Sequence, residues 1–129
     1  TLQQMNFADQ TIVGSFYLWL GQKVKFLAPA IRTSAMIANE LREKDFVDWA
    51  LAVGADYVHP CWERASLTPH KLLTPKLISH IRHQGLGIVV WHEERPSELR
   101  ELVELDVYGI CTNTPDALTK ILQDKKGEA

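Results

Sequence analysis

The chain has 129 residues, 46% of them apolar and 23% charged, with a formal net charge of -2. This is the make-up of one globular domain rather than two, with no basic field for nucleic acid. Its apolar runs stop well short of the roughly 18 residues of a membrane span, and no signal-peptide pattern opens it.

The opening "TLQQMNFADQ" has no initiator Met, and Leu2 and Met5 are spaced as at the end of a helix already under way, so the chain reads as a piece of something longer. Five apolar runs of strand length follow, each trailed by a helix-like segment. The first, Thr11–Phe16, leads into a weaker pattern that predicts a short helix between Leu18 and Pro29. The second, Arg32–Ile37, precedes "DFVDWALAVG", a helix expected to stop at Gly54. Trp19 and Trp49, in these two helices, are expected to pack against the sheet. The third run, Asp56–Trp62, is followed by the longest connection, "ERASLTPHKLL", where His70 is expected to be solvated. "TPKLISHIRHQG" then starts at a Thr-Pro pair and ends at Gly85, with Leu77, Ile78 and Ile81 on one stripe and His80 and His83 turned to solvent. The fourth run, Gly87–Trp91, precedes "PSELRELVEL", with Pro96 early and Leu99, Leu102, Val103 and Leu105 on one face. The fifth, Val107–Thr112, precedes a closing helix at "PDALTKILQD".

The runs are rich in Ile and Val and lack clean alternation, as in strands covered on both faces. Strand and helix alternate at intervals that imply parallel strands joined by right-handed crossovers. The fold class is α/β with a parallel sheet. In such sheets functional groups collect where strands end and helices begin. That selects Ser15, Phe16 and Tyr17; Asn39 and Glu40; His59, Cys61, Trp62 and Glu63; Trp91, His92, Glu93 and Glu94; and Thr112, Asn113 and Thr114.

"WHEERP" begins like the zinc-protease motif but has Pro96 where a second His belongs, and it leads out of a strand instead of lying on a helix. His59, His92, Glu93 and Glu94 could converge on a metal, yet no tight ligand spacing supports this, and consecutive acids before a helix simply suit its positive end. Cys61 and Cys111 sit in or beside apolar runs, as buried cysteines do, and are too few for a disulfide framework. Lying in strands separated by another, they are expected to be unlinked, with the reduced thiols of a cytoplasmic protein. No Gly-x-Ser-x-Gly elbow and no phosphate-binding glycine loop is present. Phe16, Trp62 and Trp91 end three different strands, where they form either an apolar pocket wall or ordinary core.

The segment "GLGIVVWHEERPSELRELVELDVYGICTNTPDAL" resembles the C-terminal part of glycerophosphodiester phosphodiesterases. There a Trp-Thr-x-Asn strand end, a Pro-starting helix and a Gly-Ile-x-Thr-Asp-x-Pro-Asp closing strand follow without gaps. "AVGADYVHP" followed by "LLTPKLISHIRHQGL", and the strand "TIVGSF", extend the resemblance over the whole chain. It implies the last five strands of a (β/α)8 barrel, with residues 1–129 forming a single partial domain. Departures stand at His92 and Glu94, where the family has Thr and Asn; at Asn113, where it has Asp; and at Asp106, where it has Gly.

The resemblance also implies chemistry that this chain does not carry. The family's His-Arg-Gly strand, Glu-x-Asp pair, His-Asp and Glu-x-Lys are absent from these 129 residues. Those motifs supply the metal carboxylates and the acid/base histidines for phosphodiester hydrolysis. The expectation is therefore a chain without catalytic or metal-ligating residues of its own, inactive alone, whose parent uses a divalent ion (Ca or Mg). Phe16 and Trp91 carry over as apolar contacts to the glycerol moiety of a glycerophosphodiester, with His59 and His92 as further contacts. The expected partner is a second copy or a missing N-terminal half, covering edges at Ile12, Val13 and Ile110. The competing readings are a non-enzymatic half-barrel that binds a small ligand or partner protein, and a different enzyme using His59 and His92 as an acid/base or metal pair.

Overall fold

The structure is a computed structural model and describes residues 2, 4–38, 43–61, 66–105 and 107–127. Five strands form one parallel sheet in sequential order: β1 (Ile12–Ser15), β2 (Arg32–Ala38), β3 (Tyr57–Cys61), β4 (Gly87–Val90) and β5 (Gly109–Ile110). Between and after them run α1 (Leu18–Leu27), α2 (Glu43–Ala52), α3 (Pro75–His83), α4 (Pro96–Glu104) and α5 (Pro115–Gly127). The five expected strands and the helix after each are all present. β5 is shorter than its apolar run because only Gly109 and Ile110 have a ladder partner, Val89 and Val90.

Alternation along each strand gives the sheet two different faces. One carries Ala35, Ile37, Val58, Ile88 and Val90, packed under Val47, Ala50, Leu77, Ile78, Ile81 and Leu102 from the helices. The other, in register, carries Gly14 opposite Ser34, Met36 opposite His59, and Cys61 opposite Trp91. This second face carries Ser34, His59 and Trp91.

Helix ends follow local rules. The Thr74 hydroxyl accepts the Leu77 N–H at 3.2 Å and Pro75 opens α3. The α2 and α3 connections turn at Gly54 (φ 64°) and Gly85 (φ 76°), left-handed conformations that cost glycine nothing. As expected, Leu77, Ile78 and Ile81 are buried while His80 and His83 are exposed.

Three expectations fail. Trp19 and Trp49 are 59% and 48% exposed and do not pack on the sheet. In α1 the more covered positions are Leu18, Leu20, Gly21 and Val24, so the helical period turns Trp19 and Phe26 outward together; in α2 the buried positions are Val47 and Ala50. Leu2 and Met5 end no helix: residues 4–6 are turns, Asn6 has a left-handed φ of 58° and Met5 is 66% exposed. His70 is not solvated. The long connection folds back through a short 3-10 turn, Pro69–Leu72, and places His70 Nδ1 2.6 Å from the buried Glu98 carboxylate of α4.

Candidate functional site

The C-terminal ends of the strands bring together only part of the expected set. Phe16 follows β1 and Trp91 follows β4; both are exposed at the same end of the sheet. Two strands, β2 and β3, stand between them in the sheet. Trp62, Glu63, Asn39 and Glu40 lie outside the described residues.

Around Trp91 the picture is denser. A recess of about 200 Å³ is lined by Trp91, His92, Cys111, Thr112 and Asn113, all from the loops leaving β4 and β5. The Trp91 ring centroid lies 6.0 Å from that of His59 and 6.0 Å from that of His92. His59 lies on β3, beneath the recess. It is only 6% exposed, and burial pushes its pKa down to about 4, so the ring is neutral near pH 7. Its Nδ1 is 3.0 Å from the Ser34 hydroxyl and its Nε2 is 3.6 Å from the Cys111 sulfur. Burial also raises the Cys111 thiol pKa. A neutral imidazole beside a protonated thiol makes a hydrogen-bond chain, not an activated nucleophile. No disulfide joins Cys61 and Cys111, which lie on strands separated by β4.

The two acids after His92 have different roles. Glu93 is buried, and its Oε1 accepts from the backbone N–H groups of Glu94 (2.9 Å) and Arg95 (2.8 Å) at the entrance to α4. Arg95 adds Nε to Oε1 at 2.9 Å and Nη2 to Oε2 at 2.6 Å. Burial alone would push this carboxyl up, but these donors together hold it below the usual carboxylate range. Arg95 also donates to the Leu67 carbonyl at 2.7 Å, so Glu93 anchors the long connection through Arg95. Glu94 points to the rim: its Oε1 accepts from Asn113 Nδ2 at 2.6 Å and lies 3.2 Å from His92 Nε2. The Asn113 bond, then that of His92, lowers the Glu94 pKa.

The four candidate metal ligands therefore do not converge. Among the described residues no three metal-ligating side chains are gathered, and His59, Glu93 and Glu94 are each engaged by a different neighbour. Among the described residues, this donor set does not fit a divalent ion. Ser34, Arg95 and the His70–Glu98 pair were not singled out in the sequence. Only the alternation that puts Ser34 on the His59 face could have flagged the first, and contacts between distant segments fix the other two.

The opposite end of the sheet is occupied by a structural cluster. Arg32 donates to Tyr57, Tyr108 and the Asp9 carbonyl, and the Tyr57 and Tyr108 rings lie 4.6 Å apart. Tyr57 lies so close over Gly87 that a Cβ there would be 2.4 Å from its ring.

Comparison with known proteins bears on this architecture. A glycerophosphodiester phosphodiesterase of Caldanaerobacter subterraneus is 22% identical over 122 residues, covering 95% of this chain and 46% of that protein. The chain thus spans about half the length of this curated relative. The ATP-dependent zinc metalloprotease FtsH of Chlamydia trachomatis is 34% identical over 88 residues, 10% of its length. Two crystal structures are similar in fold. One, from Silicibacter pomeroyi and described as a putative glycerophosphoryl diester phosphodiesterase, has a TM-score of 0.77 and 21% identity, covering 97% of this chain and 42% of that one. The other, a glycerophosphodiester phosphodiesterase from Parabacteroides distasonis, has a TM-score of 0.74 and 20% identity, with 97% and 48% covered. The sheet accordingly corresponds to the C-terminal five strands of a (β/α)8 barrel. The sequence of residues 2–117 matches one family throughout, and on that match the chain belongs to the glycerophosphoryl diester phosphodiesterase family.

Proposed function

We propose that this chain supplies the C-terminal half of a barrel that hydrolyses glycerophosphodiesters to glycerol phosphate and an alcohol, as in phospholipid breakdown, and that it is inactive alone. The observation that carries the reading is the exposed Trp91 over a recess at the strand C-termini, within a sheet of this family. Trp91 supplies an apolar face for the glycerol moiety, His92 and Asn113 offer polar contacts beside it, and His59 supports Trp91 from below. Phe16, after β1 at the same end of the sheet, contacts another part of the ligand. The metal carboxylates and the acid/base histidines would come from the other half of the barrel, with Ca or Mg as the divalent ion.

The chain is incubated with glycerophosphocholine and either cation, and choline release is followed. No turnover is expected, whereas substantial turnover would refute inactivity. Adding the N-terminal half of a relative as a separate polypeptide is expected to restore hydrolysis.

A second reading rests on a different observation. Along β5 an apolar groove of about 450 Å³ runs between Val107, Gly109, Ile110, Leu118 and Leu122. Ile12 and Val13 on β1 are half-exposed at the opposite edge of the sheet. Such parallel edges favour association. A non-enzymatic half-barrel module that binds a small ligand or a partner protein is the alternative, in a cytoplasmic setting, and a second copy is the partner these edges favour. Sedimentation equilibrium at micromolar concentration tests the pairing: a monomer of 14.7 kDa removes a second copy as the partner.

A further inference from the structure

The outward face of α1 carries aromatic side chains that the packing of the sheet does not use. At about 100° per residue, Trp19 and Phe26 fall within about 20° of each other around the helix axis, opposite the mean direction of Leu18, Leu20, Gly21 and Val24. They are 59% and 84% exposed, and Leu27 beside them is 68% exposed. In a closed (β/α)8 barrel each helix meets its neighbours along its flanks, while the side opposite the sheet faces outward. A missing half of the barrel therefore leaves Trp19 and Phe26 bare, and completing the fold does not account for them.

Charge sets the same stretch apart. Residues 11–38 contain Lys23, Lys25 and Arg32 and none of the 16 acidic residues of a chain whose net charge is -2. Lys25 is paired with Asp56 at 2.6 Å, and Arg32 donates to Tyr57, Tyr108 and the Asp9 carbonyl. Lys23 is exposed, four residues after Trp19 and three before Phe26, so it projects from the same face.

Area and charge together decide what this face takes. Exposures of 59% and 84% on rings of about 150–250 Å² leave about 200–350 Å² of aromatic surface, against about 800 Å² per partner in a stable protein interface. A two-fold contact centred on the patch also brings the Lys23 ammonium groups of two copies together, which opposes pairing. A bilayer sets no such area requirement: single aromatic rings enter the headgroup boundary, and anionic lipid attracts a cation placed among them. Among the described residues no helix is long and apolar enough to cross a membrane, so the contact lies at the surface. We propose that the outward face of α1, formed by Trp19, Lys23 and Phe26, docks on an anionic phospholipid bilayer.

Vesicles of phosphatidylcholine, alone or with an equal part of phosphatidylserine, are sedimented with the whole chain. The sequences compared are wild type, Trp19→Ala with Phe26→Ala, Lys23→Gln, and Leu67→Ala. Leu67, 86% exposed in the connection between β3 and α3, controls for apolar exposure elsewhere. All the replaced side chains are exposed, so thermal midpoints are expected to stay close to wild type. Wild type is expected to bind the anionic vesicles more tightly than the neutral ones, and less as salt is raised. The double variant is expected to bind at least about tenfold more weakly, Lys23→Gln about fivefold more weakly, and Leu67→Ala as wild type. Wild type that binds no anionic vesicles, or binds both kinds alike, overturns the proposal. So does a double variant that binds as wild type, or a loss of the same size in Leu67→Ala. Lys23→Gln leaves the rings in place and decides alone should the double variant fail to fold: binding equal to wild type overturns the proposal. Without vesicles, a wild-type dimer that Trp19→Ala with Phe26→Ala dissociates makes the face a contact between copies, and overturns it as well.

Discussion

The buried His59 makes the stability of the fold depend on pH in a calculable way. Its pKa in the folded chain is about 4, against about 6.5 in an unfolded one. The unfolded chain therefore binds more protons between these values, so stability rises with pH across the window. The contribution is complete above about pH 6.5 and is lost as pH falls toward 4. The full difference of about 2.5 units corresponds to about 3 kcal/mol, of which about 2.5 kcal/mol disappears between pH 7.5 and 4.5. Urea unfolding at pH 7.5, 6.0 and 4.5 reads this as a fall of about 1–2 M in the midpoint. Carboxylates and the other histidines also titrate, so the comparison is with His59→Leu. That variant loses about 1–3 kcal/mol at pH 7.5, where His59 is neutral in both states, because the buried Ser34 hydroxyl is left without its partner. It is expected to lose less stability than wild type on acidification, by about 2.5 kcal/mol. Equal pH dependence in the two proteins would mean that His59 is not the neutral buried group described here.

His70→Ala leaves the Glu98 carboxylate buried without its partner and should cost about 2–3 kcal/mol, with earlier proteolytic cleavage in the connection between β3 and α3. Unchanged thermal stability and cleavage would contradict the His70–Glu98 hydrogen bond. Gly87→Ala places a methyl group 2.4 Å from the Tyr57 ring and should destabilise by about 1–3 kcal/mol, checked by thermal unfolding and by altered Tyr57 and Tyr108 ring signals. The two cysteines should titrate as two thiols in denaturant, and Cys111 should alkylate slowly in the native protein at neutral pH, since burial keeps it protonated. A rapid native reaction at Cys111, mapped by mass spectrometry, would refute that account.

Much of the architecture is written locally. Ile- and Val-rich runs alternating with amphipathic segments determine a parallel sheet, because the hydrophobic period and the crossover distance leave few other arrangements. Thr74, Pro75, Gly85 and Pro96 mark their helix ends by backbone chemistry that needs no distant partner. The strand-end rule likewise points to Trp91, His92, Glu94 and Asn113, which adjoin one another in the structure. Tertiary structure decided the rest. The outward turn of Trp19 and Trp49 depends on which residues win the sheet-facing positions, since an apolar residue on a helix does not reveal which neighbour it meets. The burial of His70 depends on the long connection folding back onto α4, a contact across 28 residues. The different fates of Glu93 and Glu94 were not legible in "HEER" either. Two adjacent carboxylates look alike in sequence, and only the arrival of Arg95 at one and Asn113 at the other makes the first a buried anchor and the second a rim charge.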